Sequence, residues 1–144
     1  MAQGVISFEM IKDNLKVKDV DIRTYSPLLL AYVGDAVYDL AIRTYVVSSG
    51  NVSNNKLHNE TIKFVSAKAQ AKIIDKLMPS LSEEETAIYR RGKNAKPNST
   101  AKNASLAEYL KATGFEALIG YLYLSDKEDR MIELIKMGIG VINE

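Results

Sequence analysis

The chain predicts an all-α fold, a single compact helical bundle, on three observations. Its apolar residues recur three and four apart over most of its 144 residues. Serines stand where helices would start, several with a glutamate three residues on, and glycine or proline stands where they would stop. No stretch alternates apolar and polar residues over a useful length, as a half-buried strand would. The pattern accommodates roughly six or seven helices.

Ser26-Pro27 opens the first well-marked helix, with a capping hydroxyl before a proline suited to the first helical position. That helix extends to about Val47 and ends in Ser48-Ser49-Gly50. Asn54 to Met78 carries Leu57, Ile62, Phe64, Val65, Ala69, Ile73, Ile74 and Leu77, with lysines on the other positions. It reads as one or two amphipathic helices stopped by Pro79. Capping boxes are expected at Ser82…Glu85, Ser105…Glu108 and Ser125…Glu128. The helix after the last of these has Met131, Leu134, Ile135 and then Gly138. Gly34 and Gly120 lie inside apolar segments, where glycine costs up to ~1 kcal/mol against alanine. Close helix–helix packing is the expected reason for both.

Composition sets further bounds. The length suits one domain, here residues 1–144, with a sizeable core. A hydrophobic share of 47% and a charged share of 26% are ordinary for a globular protein. With no cysteine, disulfides and thiolate metal sites are excluded, which is compatible with a reducing cytoplasm. Met1-Ala2-Gln3-Gly4 leads to Glu9 without the basic and apolar regions of a signal peptide, and no apolar run approaches the ~18 residues of a membrane span. The single histidine, His58, sits in a polar helix start and is expected at the surface. One histidine and no cysteine leave neither a Ser-His-Asp site around a second histidine nor a Cys-His nucleophile.

Two acids stand apart from the rest. Nothing is charged from Thr24 to Gly34, and then Asp35 appears among small and apolar neighbours. Between Lys111 and Asp126 the only charge is Glu116. An ionised carboxylate on an apolar helix is costly to bury unless it is paired. Each acid therefore has a cationic or hydroxyl partner, or the two meet in the fold and hold a metal ion, for which Mg²⁺ suits oxygen ligands with open positions. Asp39 and Arg43, four apart, read as an intrahelical ion pair. From Thr86 to Ala107 there are five cations, Arg90, Arg91, Lys93, Lys96 and Lys102, and no acid. Such a run is a solvated surface or a phosphate-binding one.

Two of these segments resemble a known nuclease domain. Leu30-Ala31-Tyr32-Val33-Gly34-Asp35-Ala36-Val37-Tyr38-Asp39-Leu40 is similar to the signature helix of the ribonuclease III family, Leu-Gly-Asp-Ala-Val-hydrophobic-Glu. Phe115-Glu116-Ala117-Leu118-Ile119-Gly120 resembles that family's second acidic motif, and Tyr89-Arg90-Arg91-Gly92-Lys93-Asn94-Ala95-Lys96 lies between them in the expected order. The resemblance runs from about residue 24 to 124. Larger members carry a Glu where this chain has Ala31 and an Asp where it has Thr113; the short branch, Mini-ribonuclease III, shares both losses and lacks a following double-stranded-RNA-binding domain.

The resemblance implies a Mg²⁺-dependent endoribonuclease that cuts double-stranded RNA and leaves 5′-phosphate ends. Asp35 and Glu116 would be both the catalytic residues and the metal ligands. With two acids where larger relatives have four, more of the ion's ligands would be water. Arg90, Arg91, Lys93, Asn94, Lys96 and Lys102 would bind RNA, with help from Lys68 and Lys72. It also implies a homodimer, giving a use to the apolar surplus at Leu28, Leu29, Tyr32 and Val33. The substrate it implies is the paired stem flanking precursor 23S ribosomal RNA, in the cytoplasm and away from any membrane; a ribosomal protein helper is compatible with it. The alternative is a catalytically silent relative that binds structured RNA or ribosomes without cutting.

Overall fold

A computed structural model describes residues 7–50, 52–95 and 105–144. Among them run seven α-helices and no strand: α1 (Phe8–Asn14), α2 (Pro27–Val47), α3 (Asn54–Val65), α4 (Ala67–Leu77), α5 (Glu83–Lys93), α6 (Leu106–Leu124) and α7 (Glu128–Ile142). Short 3₁₀ turns precede α2 at Ile22–Thr24 and follow α4 at Met78–Ser80. The expected all-α class is what is found. No helix among the described residues is long and apolar enough to cross a membrane.

Serine sets the helix starts. Ser7, Ser26, Ser53, Ser66, Ser82 and Ser105 each accept, through Oγ, the backbone N–H three residues on. This satisfies one of the donors that a helix start leaves without a partner. The boxes at Ser82…Glu85 and Ser105…Glu108 are complete, the glutamate reaching back to the serine N–H. Ser66 does double duty. Its N–H bonds the Ile62 carbonyl and closes α3, and its Oγ opens α4, so the stretch from Asn54 is two helices.

The expected box at Ser125…Glu128 does not form. Buried Leu122 and Tyr123 keep α6 helical to Leu124, and Ser125 is used to close it, its N–H bonding Tyr121 O. Asp126 then takes a left-handed conformation, φ 60°, and α7 starts after Lys127 with no side-chain cap. The Glu128 carboxylate instead accepts the N–H of Phe8, tying down α1, which the sequence pattern did not single out.

The core is organised around α6, which packs on α2, α4, α5 and α7. Phe115, Leu118, Ile119 and Leu122 from α6 meet Tyr38 and Ile42 from α2, Ile73, Ile74 and Leu77 from α4, and Leu134 from α7, all essentially without solvent exposure. Tyr38 sets its ring edge-on to Phe115 at 5.2 Å and donates its hydroxyl to Phe64 O at 2.8 Å, so its polar end is satisfied in the core. Where α2 crosses α6 the backbones touch. A Cβ on Gly34 would lie 1.8 Å from the Glu116 carbonyl oxygen, and one on Gly120 would lie 1.9 Å from that of Leu30. Only glycine permits that approach, as the sequence pattern anticipated.

Candidate active site

That crossing fixes where the two lone acids go. Asp35 follows Gly34 on the outward side of α2 and is exposed; Glu116 lies on α6 with its own carbonyl beneath Gly34 and is half-buried. The crossing brings their carboxyl groups close enough for the charge of Asp35 to act on Glu116. Asp35 is therefore not a buried charge, contrary to the reading of its apolar neighbourhood, and has no ion-pair partner among the described residues. Its neighbours are apolar because they serve the core on one side of α2 and an exposed apolar face on the other.

Glu116 bears the strain of the arrangement. Burial, together with the charge of Asp35, pushes its carboxyl up to about 8, against the opposing pull of an amide donor from Gln70. Gln70 sits in the first turn of α4 and is buried, at 2% exposure. Its Nε2 donates to Glu116 Oε2 at 3.2 Å and to the Val65 carbonyl, at the end of α3, at 2.9 Å. Its Oε1 is buried without a hydrogen-bond partner among the described residues. The charge of Glu116 also adds to the burial that raises the Tyr38 hydroxyl.

The donor chemistry fits a hard cation. The two carboxylates offer oxygen only, and no group of three His, Cys, Asp or Glu residues comes together among the described residues. Two carboxylates suit an ion such as Mg²⁺ that keeps several waters, and neither nitrogen nor sulfur is at hand to favour zinc. Ala31 is buried against α6, and the Thr113 hydroxyl donates to Tyr109 O at 3.0 Å, so neither position adds a ligand.

The basic residues are only partly in view. Arg90 and Arg91 are exposed in the last turn of α5, Lys93 is half-buried there, and Asn94 closes the helix. None of the three cations has an ion-pair partner among the described residues, and their place at a helix C-terminus also suits its partial negative charge. Lys96 and Lys102 lie outside the described residues. Lys68 and Lys72 are exposed on α4, the helix that carries Gln70. Arg43 pairs with Asp39 at 2.8 Å as expected, and His58 is exposed.

The apolar face of α2 adjoins the acids. Tyr32 is 81% exposed and Leu29 54%, while Val33, Ala36 and Val37 line a groove that has Asp35 in its wall and Met131 and Ile132 of α7 on its far side. Sequence reasoning missed Gln70. The signal was available: it stands three, four and seven residues before Ile73, Ile74 and Leu77, a polar side chain on the apolar stripe of α4.

Comparison with known proteins agrees with the motif reading. The family model described as Ribonuclease III domain matches residues 28–127. A Mini-ribonuclease 3 of Clostridium tetani is 47% identical over 86% of this chain and 83% of its own length. One from Brevibacillus brevis is 48% identical over 81% and 87%, and one from Enterococcus faecalis 45% identical over 86% and 96%. A crystal structure of a Fusobacterium nucleatum protein superposes with a TM-score of 0.77 at 37% identity, covering 85% of this chain and 98% of that one. With Asp35 and Glu116 meeting on a fold that these relatives share, the chain belongs to the ribonuclease III family, to its Mini-ribonuclease 3 members, and is an endoribonuclease.

Proposed function

We propose that the chain hydrolyses phosphodiester bonds of double-stranded RNA with a Mg²⁺ ion held by Asp35 and Glu116. The observation that carries this is the meeting of two carboxyl groups from two helices, with Glu116 pushed up to about 8 by burial and by Asp35. Two acids crowded together in this way are stabilised by a divalent cation between them. When bound, the ion neutralises developing phosphate charge and lowers the pKa of an attacking water. Asp35, on the exposed side, presents its oxygens where RNA arrives, and Glu116 anchors the site to the core through α6. Arg90, Arg91, Lys93 and Asn94, with Lys96 and Lys102 further on, hold the sugar-phosphate backbone, as A-form RNA is recognised mainly by shape and phosphate.

The active species is a homodimer in which the α2 faces around Tyr32 and Leu29 meet, giving one site for each strand of the duplex. The whole chain serves as one nuclease domain. By family resemblance the substrate is the stem flanking precursor 23S ribosomal RNA, in the cytoplasm. Incubating duplex RNA with the parent, Asp35→Asn and Glu116→Gln, with and without Mg²⁺, tests the reading. Cleavage to 5′-phosphate ends is expected only for the parent with metal. Binding without cleavage by the parent would favour the catalytically silent alternative, and undiminished cleavage by either variant would overturn the assignment of the acids.

A further inference from the structure

We propose that Gln70 is a positioning residue, whose amide holds the Glu116 carboxylate in the orientation that lets it share a divalent cation with Asp35. The proposal rests on the reading of those two acids as metal ligands. No motif or resemblance pointed to Gln70; the geometry alone does.

Stability by itself does not ask for glutamine here. The position lies on the apolar stripe of α4, and burying an amide disfavours folding unless both its ends are bonded. Only the donor end is, since Oε1 has no partner among the described residues. An apolar side chain of similar size would fill the same space without that penalty. The position instead carries a group with two hydrogens, and both are used.

One hydrogen anchors the amide and the other aims it. The bond to the Val65 carbonyl, 2.9 Å, fixes Nε2 to the joint between α3 and α4. The bond to Glu116 Oε2, 3.2 Å, then ties α6 to that joint. Turning the amide over would set its oxygen against a carbonyl and a carboxylate at once, so chemistry admits one orientation. With Oε2 gripped from the α4 side, the carboxylate cannot swing away from Asp35, although the two repel each other. A cation arriving at the pair finds its ligands already in place.

The experiment measures metal binding without RNA. Free Mn²⁺ is followed by electron paramagnetic resonance as it is titrated into the parent, Gln70→Leu and Glu116→Gln, each shown folded by circular dichroism. Gln70→Leu should weaken Mn²⁺ binding by about tenfold or more, the scale seen when a group orienting a metal ligand is removed. In duplex cleavage its kcat should fall while KM for RNA stays unchanged, and excess Mn²⁺ should restore most of the rate, which it would not do for a merely loosened core. Should Gln70→Leu fail to fold, Gln70→Met, a more adaptable side chain, is put to the same titration. A folded Gln70 variant that binds Mn²⁺ as the parent does, while Glu116→Gln loses it, overturns the role of Gln70 and leaves the metal reading standing. Parent-like binding by Glu116→Gln overturns the metal reading itself, and the role of Gln70 with it.

Discussion

Arg130 on α7 forks onto the carboxylate of Glu85 on α5, Nε to Oε2 at 2.8 Å and Nη2 to Oε1 at 2.9 Å. Glu85 is buried, and the same carboxylate accepts the Ser82 N–H that completes the capping box. Arg130 also donates to the Ser80 carbonyl at 2.7 Å and to Glu133 at 2.5 Å. One guanidinium thus joins the start of α5, the turn before it and the first half of α7. Hydrogen bonding from Arg130 is the main cause that holds Glu85 below the usual carboxylate range.

Arg130→Met should therefore destabilise the protein by about 2 kcal/mol, between the values for exposed and for fully buried pairs, because it leaves Glu85 buried without its cation. A carboxylate whose folded-state pKa is lowered adds stability above its unfolded pKa and loses it as pH falls through the folded one. Urea unfolding at neutral pH and near pH 3 checks this, with the variant's deficit shrinking in acid. An equal deficit at both would show that the ion pair is not its source.

At the α2–α6 crossing, Gly34→Ala drives a methyl into the Glu116 carbonyl, so the helices must part. A loss of about 3 kcal/mol is expected from overpacking of this severity, together with loss of cleavage as Asp35 and Glu116 separate. Gly140→Ala is the control: its Cβ would meet nothing within 4 Å, and alanine should stabilise α7 by up to ~1 kcal/mol. Thermal melts of the two variants should move in opposite directions.

For Glu116 the dependence on pH runs the other way from Glu85. Its carboxyl is pushed up to about 8 by burial and then by Asp35, so the folded protein keeps the proton after the unfolded chain has lost it. Without metal, stability from this group is present at acid pH and lost as pH rises from the ordinary carboxylate range to about 8. Melting temperatures of the metal-free parent should fall between pH 5 and 8 more than those of Glu116→Gln. If Asp35 and Glu116 hold the ion, Mg²⁺ at pH 8 should raise the parent's melting temperature and leave the variant's unchanged. Identical pH slopes for the two would refute the shift.

If the basic end of α5 grips phosphates, replacing Arg90, Arg91 and Lys93 with Ala weakens duplex RNA binding equally for unrelated sequences. The slope of log affinity against log salt should flatten by roughly one unit per lost contact. Folding should barely change for the two exposed arginines. Parallel salt lines for parent and variant would identify this end of α5 as solvated surface alone.

Tyr32 tests the proposed pairing of α2 faces. At 81% exposure it contributes little to the core, so Tyr32→Glu should leave the protomer folded while placing a charge in the apolar patch. Sedimentation should show a dimer for the parent and a monomer for the variant at micromolar concentration, with double-strand cutting reduced accordingly.

Much of this was legible in the sequence because it is written in local terms. Serine caps and the apolar spacing marked the helices from α2 onward, and two glycines in apolar segments marked close helix–helix packing, which the fold places at the α2–α6 crossing. The failures are where tertiary packing overrules a local signal. Ser125…Glu128 has the residues of a capping box, but burial of Leu122 and Tyr123 extends α6 over the position a cap would need. Asp35 has the surroundings of a buried acid, yet α2 is apolar on both sides and only one of them faces the core. Gln70 stood in plain sight on an apolar stripe, and its amide finds its partners only where α4 meets the end of α3 and Glu116 of α6.

With ten of its residues buried and neighbours around it, α6 forms the innermost rod of the molecule. Amides on either side of Glu116 can exchange with solvent only when the bundle itself comes apart, so they should be among the last to exchange. Asp35 shares this fate, because its helix is locked to that rod backbone against backbone. Partial unfolding at the periphery, such as release of the short α1, should leave the α2–α6 crossing intact. Loss of cleavage with rising denaturant should therefore coincide with loss of helix signal by circular dichroism.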